Sequence, residues 1–482
     1  MSGALAGRTV LVAGLGVSGV ASARVLLDQG VRVLLTDAAQ VPAVAELTSA
    51  GATWLGAVDS APAGVDLVVT SPGWRPDNPL LADAAARGIE VVGEPELAWR
   101  LRIPGPDGTP APWLAVTGTN GKTTTVTMLE AILLAAGRRA VAAGNVGRPL
   151  VEVVTARDED GTPTYDAIAV ELSSFQLHWS ATLAPAAAAV LNVADDHTDW
   201  HGSFAAYRDA KARILERSPV AVADGGDAVA ARLVQGHARP VTVTLGEPAP
   251  GQLGVRAGVL VDRAFADDPA GEVLMERAEL QVPGPHNTVN ALAAAALARA
   301  VGVPADAVAR GLAGFQGGEH RNVLVATVDG VDYVDDSKAT NPHAAGASLA
   351  AYPRVVWIAG GLLKGADVDP LVAAVGPRLA GVVLLGRDRA EIARSLVRHA
   401  PSVPVVEVAS GNDDRMQADR PDPAVTMARV VAAAAELARP GDTVLLAPAA
   451  ASMDVFRDYG HRGKAFADAV RALADGPTGG AR

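Results

Sequence analysis

The chain has 482 residues, too many for a single hydrophobic core, so about three domains are expected. Apolar residues make up 49% of the sequence and charged residues 20%, which indicates a packed globular protein. The net charge of −12 argues against a general affinity for nucleic acids or anionic membranes, and the absence of cysteine excludes disulfides, thiolate metal sites and a cysteine nucleophile.

The first block of the chain, residues 1–110, alternates short apolar runs with a helical stretch. Strands are predicted at Thr9–Ala13, Val31–Thr36 and Val65–Thr70, with a helix at Gly19–Gln29. This βαβ order predicts a parallel sheet of Rossmann type. Residues 103–112 are rich in Pro and Gly and show no periodicity, so a linker is expected there.

A glycine-rich turn follows the first predicted strand. It reads Gly14-Leu15-Gly16-Val17-Ser18-Gly19, and Asp37 ends the next strand. The spacing is typical of a dinucleotide fingerprint, but other diphosphates fit the same helix N-terminus, so NAD is one candidate among several.

The glycines also favour a strand and turn over a signal peptide, and no stretch has the ~20 apolar residues needed to span a bilayer. A cytoplasmic protein is therefore expected.

The second block, residues 111–316, opens with a predicted strand at Trp113–Thr117 and the loop Thr117-Gly118-Thr119-Asn120-Gly121-Lys122-Thr123-Thr124. In such a loop, backbone N–H groups and the N-terminus of the following helix converge on phosphate oxygens. Lys122 is expected to reach the β and γ phosphates, and the Thr123 hydroxyl to reach Mg²⁺. The loop is tighter than an ordinary Walker loop, whose first glycine would fall on Val116. A plain glycine turn before a helix is the alternative.

Polar residues follow the next two predicted strands, Ala167–Leu172 and Ala187–Asn192. Glu171 stands at the carboxyl end of the first, where it suits a Mg²⁺ ligand or a helix cap. Asp196-His197 follows the second and could hold Mg²⁺ or substrate, although a lone histidine is often structural. Lys211 lies on a predicted helix, and because an ammonium group cannot ligate a cation, a solvated face is its default interpretation.

The third block, residues 317–482, shows a second doubly wound pattern. Strands are predicted at Val331–Asp335, Val355–Ala359, Val382–Leu385, Val405–Val408 and Thr443–Ala447. Asn341 is expected to cap a helix that begins at Pro342. The polar run before it contains Asp336 and Lys338, and Gly360-Gly361-Leu362-Leu363-Lys364-Gly365 repeats the arrangement on the next strand. Turns with solvated charges are the alternative interpretation of both runs.

Together with Gly284-Pro285-His286-Asn287, Asn290 and His320-Arg321, these segments fall in the order typical of the Mur ligase family, which the chain resembles over essentially its whole length. The resemblance implies three α/β domains: a Rossmann-like UDP-substrate domain (1–110), a central phosphate-loop ATPase with a mostly parallel sheet (111–316), and a Rossmann-like amino-acid-binding domain (317–482). The branch that adds D-glutamate to UDP-N-acetylmuramoyl-L-alanine is most similar. Its likeness includes Ser71-Pro72-Gly73, Gly144-Asn145-Val146-Gly147, Asp336-Ser337-Lys338-Ala339-Thr340-Asn341 and Ala451-Ser452-Met453-Asp454.

The resemblance also implies roles for individual residues. Its implied catalytic residues are Lys122, Glu171, His197 and Lys211; Lys211 matches a carbamylated lysine, and the last three with Thr123 are implied ligands of two Mg²⁺ ions. The implied ATP contacts are Thr117, Gly118, Thr119, Asn120, Gly121, Lys122, Thr123, Thr124, Asn287, Asn290, Arg321, Asp336 and Lys338. The implied contacts to the UDP substrate are Gly16, Val17, Ser18, Asp37, Gly73, Asn145, Gln176 and His197. The implied contacts to D-glutamate are Thr340, Lys364, Ser452 and Tyr459.

The expected activity is therefore an ATP-dependent amide ligation through an acyl phosphate, in cytoplasmic synthesis of a peptidoglycan precursor. A monomer that binds neither nucleic acid nor membrane is expected. One alternative is a sister ligase of the same chemistry that takes another amino acid. Another is a nicotinamide oxidoreductase using Gly14–Asp37, which leaves the loop at Gly118 unexplained, and a third is a phosphate-loop switch or transport ATPase, which has no need of the third-block motifs.

Overall fold

The computed structural model describes residues 5–408 and 422–475. They form two compact units: one reaches to Leu280 and includes Val289–Phe315, and the other consists of Gln281–Thr288 and the chain from Gln316 onward. The Gly- and Pro-rich tail after Asp475, for which the sequence predicts fraying, lies outside the described residues. No helix within the described ranges is long and apolar enough to cross a bilayer.

The first sheet of the first unit has, in the described part of the chain, five parallel strands in the order β3-β2-β1-β4-β5. The strands are β1 (Thr9–Ala13), β2 (Arg32–Thr36), β3 (Thr53–Trp54), β4 (Leu67–Thr70) and β5 (Glu90–Gly93). The helices are α1 (Val17–Asp28), α2 (Ala43–Ser49), α3 (Pro79–Ala86) and α4 (Glu94–Leu101). The predicted Rossmann-type order is confirmed, and the turn after β1 lies where the strand order reverses, which is where ligands bind in open sheets.

The second sheet of the same unit follows the order β14-β13-β12-β11-β10-β9-β6-β8-β7. Its strands are β6 (Trp113–Thr117), β7 (Ala140–Gly144), β8 (Ala167–Glu171), β9 (Ala187–Val190), β10 (Ala221–Asp224), β11 (Pro240–Val243), β12 (Gln252–Arg256), β13 (Val259–Asp262) and β14 (Glu272–Glu276). Pairing is parallel except between β12, β13 and β14. In the register, Val116 of β6 lies beside Glu171 of β8 and Ala189 of β9, so the carboxyl ends of these strands meet at one edge.

Helices alternate with the strands of this second sheet along the chain. They are α5 (Lys122–Ala135), α6 (Leu150–Thr155), α7 (Ser174–His178), α8 (Thr198–His201), α9 (Phe204–Ala212), α10 (Ala228–Val234), α11 (Pro285–Ala300) and α12 (Ala305–Ala313), with 3₁₀ turns at Arg213–Leu215 and Arg277–Glu279. The helix α11 begins at Pro285, whose fixed φ suits a first helical position. Alanine-rich strands such as β9 are fully buried, so these helices can approach the sheet closely.

The sheet of the second unit follows the order β15-β16-β20-β17-β18-β19, parallel except for the antiparallel pair β15 and β16. The strands are β15 (Val323–Val328), β16 (Val331–Asp335), β17 (Val355–Ala359), β18 (Leu379–Leu384), β19 (Val405–Glu407) and β20 (Thr443–Leu446). The helices are α13 (Pro342–Leu349), α14 (Asp369–Val375), α15 (Arg389–His399), α16 (Pro423–Leu437) and α17 (Tyr459–Ala474), with a 3₁₀ turn at Gly376–Arg378. The predicted doubly wound pattern is confirmed, whereas the domain boundaries near residues 110 and 316 stay a prediction.

Candidate active site

The loop between β6 and α5 has a backbone that only glycine adopts readily. Gly118 has φ +157° and Gly121 has φ +84°, both in the region that side chains rarely occupy. A Cβ at Gly121 would lie 2.5 Å from Oδ1 of Asn290, and one at Gly118 would lie 3.1 Å from Cβ of Leu191. The loop is therefore held tightly at both of its glycines, and Lys122, Thr123 and Thr124 form the first turn of α5.

Neighbouring side chains fix the rest of this loop. Asn192, just after β9, accepts from the N–H of Asn120 (2.8 Å) and donates back to its carbonyl oxygen (3.1 Å). The hydroxyls of Thr119 and Tyr207 lie 2.9 Å apart, and the Ala194 N–H donates to the Thr119 hydroxyl at 3.0 Å. The sequence analysis assigned no role to Asn192 or Tyr207. The signal for Asn192 was its position at the carboxyl end of a strand next to the loop.

Two lysine side chains point to the same backbone oxygen of the loop. The amine of Lys122 donates to the carbonyl oxygens of Gly118 and Thr119, each at 2.9 Å. The amine of Lys211, from α9, donates to the carbonyl of Gly118 at 2.7 Å and lies 4.6 Å from the Tyr207 ring centre. Lys211 is 2% exposed, so its default interpretation as part of a solvated face is wrong. Burial and the charge of Lys122 lower the pKa of Lys211 well below its ordinary value.

Glu171 is buried at the end of β8, where the Thr123 hydroxyl donates to its Oε2 at 2.6 Å. The side-chain amide of Asn145 donates to Oε1 at 2.7 Å, and the backbone N–H of Asn145 donates to the Glu171 carbonyl at 2.9 Å. Glu171 therefore does not serve as a helix cap, because Ser173 caps α7. Thr123 and Glu171 place a hydroxyl and a carboxylate side by side, which are oxygen donors of the kind Mg²⁺ prefers.

His197 precedes α8 with a left-handed backbone, φ +54°. Its ring lies 4.8 Å from that of Phe175 and its Nε2 lies 3.6 Å from a carboxylate oxygen of Asp196. Partial burial lowers the pKa of His197, with the charge of Lys211 acting in the same direction. In the described ranges, no group of three or more histidine, cysteine, aspartate or glutamate side chains is arranged to hold a metal ion.

The turn after β1 carries three of the residues expected to bind the UDP substrate, Gly16, Val17 and Ser18. Gly16 caps α1, Val17 is 76% exposed, and a Cβ at Gly16 or Gly73 would meet no atom within 4 Å. Asp37 accepts a 2.6 Å hydrogen bond from the N–H of Leu15, so its carboxylate shapes this turn. Ser18 lies in the first turn of α1.

Gln176, also expected to contact the UDP substrate, is buried and takes part in a capping box at the start of α7. The Ser173 N–H donates to its Oε1 at 2.9 Å, and its own N–H donates to the Ser173 hydroxyl at 3.2 Å. The side-chain Oε1 of Gln176 therefore has a structural role in addition to any role in binding.

Two further residues expected to contact ATP lie near the loop between β6 and α5: one ends β6 and the other lies on α11. Thr117 is buried at the end of β6 and its hydroxyl donates to the Leu172 carbonyl at 2.7 Å. Asn290 is buried in α11, where the Thr125 hydroxyl donates to its Oδ1 at 3.3 Å. Asn287, on the same helix, is buried and donates to the Pro283 carbonyl at 2.7 Å.

In the second unit, the polar run after β16 is held by a buried arginine. Arg462 of α17 is fully buried and donates to the Ser337 hydroxyl (3.0 Å), the Ser337 carbonyl (2.8 Å) and the Ala450 carbonyl (3.1 Å). Burial lowers the pKa of Arg462 to about 10. The sequence analysis missed this residue, because nothing in the spacing of α17 marks a buried cation.

The remaining ATP candidates lie around this run. Burial raises the pKa of Asp336 to about 6, and Arg321 opposes that rise through its charge. The Lys338 N–H donates to the His320 carbonyl at 3.1 Å, and the Lys338 amine lies 3.7 Å from the Tyr459 ring centre. A carboxylate of Asp335 lies 2.6 Å from Nδ1 of His320 and raises the pKa of that histidine.

The residues expected to bind the amino acid lie on loops that follow three adjacent strands, β16, β20 and β17. Backbone hydrogen bonds join these loops: Ala449 N–H to the Ala339 carbonyl (3.0 Å), and Leu362 and Ala451 to each other in both directions (2.8 and 2.9 Å). The loops carry Thr340, Ser452 and Lys364, while Tyr459 starts α17 and its carbonyl accepts from the Ser337 hydroxyl at 2.8 Å. The second unit thus brings these four segments to one edge of its sheet.

Comparison with known proteins agrees with this geometry. The Mur ligase middle domain matches residues 116–298, the N-terminal domain described as Mur ligase MurD-like matches 8–93, and the Mur ligase glutamate ligase domain matches 320–450. A UDP-N-acetylmuramoylalanine–D-glutamate ligase of Thermobifida fusca (strain YX) is 54% identical over 481 residues, which is 98% of this chain and 99% of the relative. The chain belongs to the Mur ligase family.

Other Mur ligases extend the comparison. A UDP-N-acetylmuramoylalanine–D-glutamate ligase of Mycobacterium tuberculosis (strain CDC 1551 / Oshkosh) is 52% identical over 492 residues, covering 97% of this chain and 96% of the relative. The crystal structure of the UDP-N-acetylmuramate-alanine ligase from Thermotoga maritima aligns with a TM-score of 0.56 at 19% identity, over 97% of this chain and 99% of that one. The fold is therefore shared across Mur ligases of different names.

Proposed function

We propose that the chain is an ATP-dependent ligase that joins D-glutamate to UDP-N-acetylmuramoyl-L-alanine in peptidoglycan precursor synthesis. Its relatives at 52–54% identity over nearly the whole chain carry that name. The observation that supports it best is the site at the end of β6, where Lys122, Lys211 and the pair Thr123–Glu171 surround one phosphate-type loop. We place the reaction in the cytoplasm and in a monomer.

The chemistry explains why such a site is needed. A carboxylate does not react with an amine at neutral pH, because oxide would have to leave. When a carboxylate oxygen of the substrate attacks the γ-phosphorus of ATP, the bond to ADP breaks and an acyl phosphate forms. The amine of D-glutamate then attacks the acyl carbon, loses a proton, and phosphate leaves with the bonding electrons. The products are an amide, ADP and phosphate.

Lys122 has the main electrostatic role in this scheme. Its amine sits on the carbonyls of Gly118 and Thr119, at the start of a helix whose N-terminus carries positive potential. A triphosphate lying along the loop replaces those carbonyls as the partner of the ammonium group. The charge of Lys122 then offsets the negative charge on the phosphoryl group as it is transferred.

The family uses ATP with Mg²⁺, and the residues present fit the metal. Thr123 and Glu171 supply adjacent oxygen donors, and Lys211 becomes a further oxygen donor when its amine is carbamylated. We propose Thr123, Glu171, His197 and carbamylated Lys211 as the ligands of two ions. Bound Mg²⁺ would supply positive charge beside the phosphate oxygens.

We assign the turn at Gly16 to the uridine diphosphate of the substrate. It combines an open helix N-terminus with glycines that leave room for a diphosphate to approach the backbone. Asp37, Gly73, Asn145 and Gln176 are the proposed contacts to the rest of that substrate, with Val17, Ser18 and His197. The oxidoreductase alternative uses the same turn, but leaves the loop at Gly118 without a role.

For the other ligands, two groups of residues are proposed. Asn287, Asn290, Arg321, Asp336 and Lys338 are the proposed ATP contacts outside the loop at Thr117–Thr124. Thr340, Lys364, Ser452 and Tyr459 are the proposed contacts to D-glutamate. A lysine, two hydroxyls and a phenol suit a dicarboxylate, because the lysine pairs with a carboxylate and the others donate hydrogen bonds.

The test is to incubate the protein with ATP, Mg²⁺ and UDP-N-acetylmuramoyl-L-alanine and to add D-glutamate, L-glutamate, L-alanine or diaminopimelate separately. Phosphate release with a glutamyl gain in product mass is expected for D-glutamate alone. Lys122→Ala should abolish this release, and exposed Lys464→Ala is its control. Release with another amino acid instead would identify a sister ligase, and full activity of Lys122→Ala would overturn the phosphate-loop assignment.

A further inference from the structure

A turn outside the expected site connects two of the loops that carry amino-acid contacts. It consists of Gly386, Arg387 and Asp388, between β18 and α15. One of the two loops follows β17 and ends in Lys364, and the other follows β20 and contains Ser452. Sequence motifs gave this turn no function.

Asp388 makes the first connection. Its Oδ2 accepts from the N–H of Leu363 at 2.8 Å, and its own N–H donates to the Gly361 carbonyl at 3.0 Å. Asp388 also occupies the N-cap position of α15, where an aspartate ordinarily accepts from the first turn of its own helix. Here its side chain makes no such capping bond. The carboxylate therefore forgoes local helix stabilisation and holds a distant loop, a departure from the local rule that points to a role for that loop.

Asp454 makes the second connection. Its Oδ2 accepts from the N–H of Arg387 at 2.8 Å, which fixes the loop two residues after Ser452 to the same turn. Gly386 lies at the junction with φ +81°, and a Cβ there would come within 2.6 Å of Oδ2 of Asp454 and 2.7 Å of the Gly361 backbone. The turn and the two loops therefore pack too closely for any residue larger than glycine at this position.

The position of Lys364 depends on this arrangement. Lys364 is exposed and adopts φ +54°, a left-handed backbone that a lysine does not prefer. The residue before it, Leu363, is the one whose N–H is bound by Asp388. A strained residue persists where its surroundings hold it in place, so this hydrogen bond is part of what directs the Lys364 side chain.

We propose that Gly386–Asp388 is a positioning element for the amino-acid substrate, which sets the Lys364 loop and the Ser452 loop at a fixed separation. The inference rests on the proposed function, because it takes Lys364 and Ser452 as contacts to D-glutamate. Asp388 and Asp454 touch no substrate in this scheme; they act through the loops. A dicarboxylate needs the groups that bind its two ends at the correct spacing. Loss of the Asp388 or the Asp454 hydrogen bond should therefore weaken amino-acid binding more than nucleotide binding.

The test measures KM for each substrate in Asp388→Ala, with Asp388→Asn and Asp367→Ala as matched variants. Asp388→Ala should raise KM for D-glutamate about tenfold, the scale of a lost hydrogen bond to a charged acceptor, with KM for ATP and the UDP substrate changed less than about twofold. Asp388→Asn keeps an acceptor oxygen for Leu363 and should restore most of the affinity. Asp367 bonds only locally, to the Asp369 N–H at 2.9 Å among its described hydrogen bonds, and its loss should leave all three KM values unchanged.

Asp454→Ala is the second variant, because it breaks the other connection and leaves the Leu363 bond in place. A raised KM for D-glutamate in Asp388→Ala, with ATP still bound, supports the proposal, and a matching rise in Asp454→Ala supports the second connection. Equal loss of affinity for all substrates, or loss of ATP binding in both variants, would overturn it, since the turn would then serve the fold as a whole. Lys364→Ala separates the two hypotheses: if it leaves KM for D-glutamate unchanged, the amino-acid assignment fails; if it raises KM while Asp388→Ala does not, the positioning role alone fails.

Discussion

The amine of Lys211 and the amine of Lys122 donate to the same carbonyl oxygen, that of Gly118, at 2.7 and 2.9 Å. Two ammonium groups that share one acceptor oxygen lie close enough to repel each other, and Lys211 is buried as well. Both effects favour loss of the Lys211 proton, so the pKa of this lysine falls well below its ordinary value. The structure therefore places Lys211 in surroundings that favour the neutral amine.

A neutral Lys211 should react with carbon dioxide. Its nitrogen attacks the carbon of CO₂ and releases a proton, which gives a carbamate. Protein incubated with ¹³C-labelled bicarbonate is expected to show a carbamate resonance in ¹³C NMR at neutral pH. Lys211→Arg should lose that resonance, because its guanidinium stays charged, whereas Lys464→Arg should keep it. A spectrum without the resonance in the parent protein would contradict the assignment of Lys211 as a carbamylated residue.

The two ends of α5 offer a matched pair of glycines. Gly121 before the helix and Gly137 after it both have positive φ, +84° and +77°. A Cβ at Gly121 would collide with Asn290, while one at Gly137 would meet no atom within 4 Å. Each change to alanine should cost about 1 kcal/mol of unfolding free energy through the backbone, measured by urea titration. Only Gly121→Ala should also lose ATP-dependent phosphate release; equal activity of the two variants would argue against a phosphate site at this loop.

Much of this site is predictable from the sequence, and the rest depends on packing. The strand Trp113–Thr117 and the helix after Gly121 are predicted correctly, since a short apolar run, two glycines and an apolar helical face leave few alternatives. The default interpretation of Lys211 from the residues alone, a solvated face, is wrong, because its burial depends on how α9 packs on the loop. The strand β15 is missed for a related reason: Val323–Val328 is half exposed and is held as a strand by its antiparallel partner β16.

Arg462 in the second unit is a buried cation whose hydrogen bonds hold a loop, so its replacement should lower the stability of the fold. Arg462→Met removes three hydrogen bonds and leaves the acceptors of Ser337 and Ala450 without that donor. A loss of about 3 kcal/mol in unfolding free energy is expected, measured by urea titration. Arg471→Met is the control, because Arg471 lies on the same helix with an exposed side chain paired to Asp468 at 3.3 Å. An Arg462→Met variant as stable as this control would show that the network contributes little.

Glu94 places a buried carboxylate at the start of α6. It is the first residue of α4, is 2% exposed, and accepts a 2.7 Å hydrogen bond from the Val151 N–H in the first turn of α6. Burial raises the pKa of Glu94 from 4.5 to about 7, although the hydrogen bonds from the α6 backbone oppose that rise. The folded chain therefore keeps a proton on Glu94 between these two values, whereas the unfolded chain has released it.

Glu94→Gln should change how stability depends on pH. Because the folded-state pKa is the higher one, the contribution of Glu94 is fully present below pH 4.5 and is lost as pH rises toward 7, a difference of about 3 kcal/mol at most. Glutamine keeps the acceptor oxygen and cannot ionise, so the variant should gain stability relative to the parent between pH 5 and pH 8 in urea titrations. Glu46→Gln is the control: Arg24 lowers the pKa of exposed Glu46 from 4.5, so its contribution is lost only as pH falls below that value and should not change between pH 5 and pH 8. If the free energies of unfolding of Glu94→Gln and the parent differ by the same amount at pH 5 and at pH 8, Glu94 does not titrate in this range.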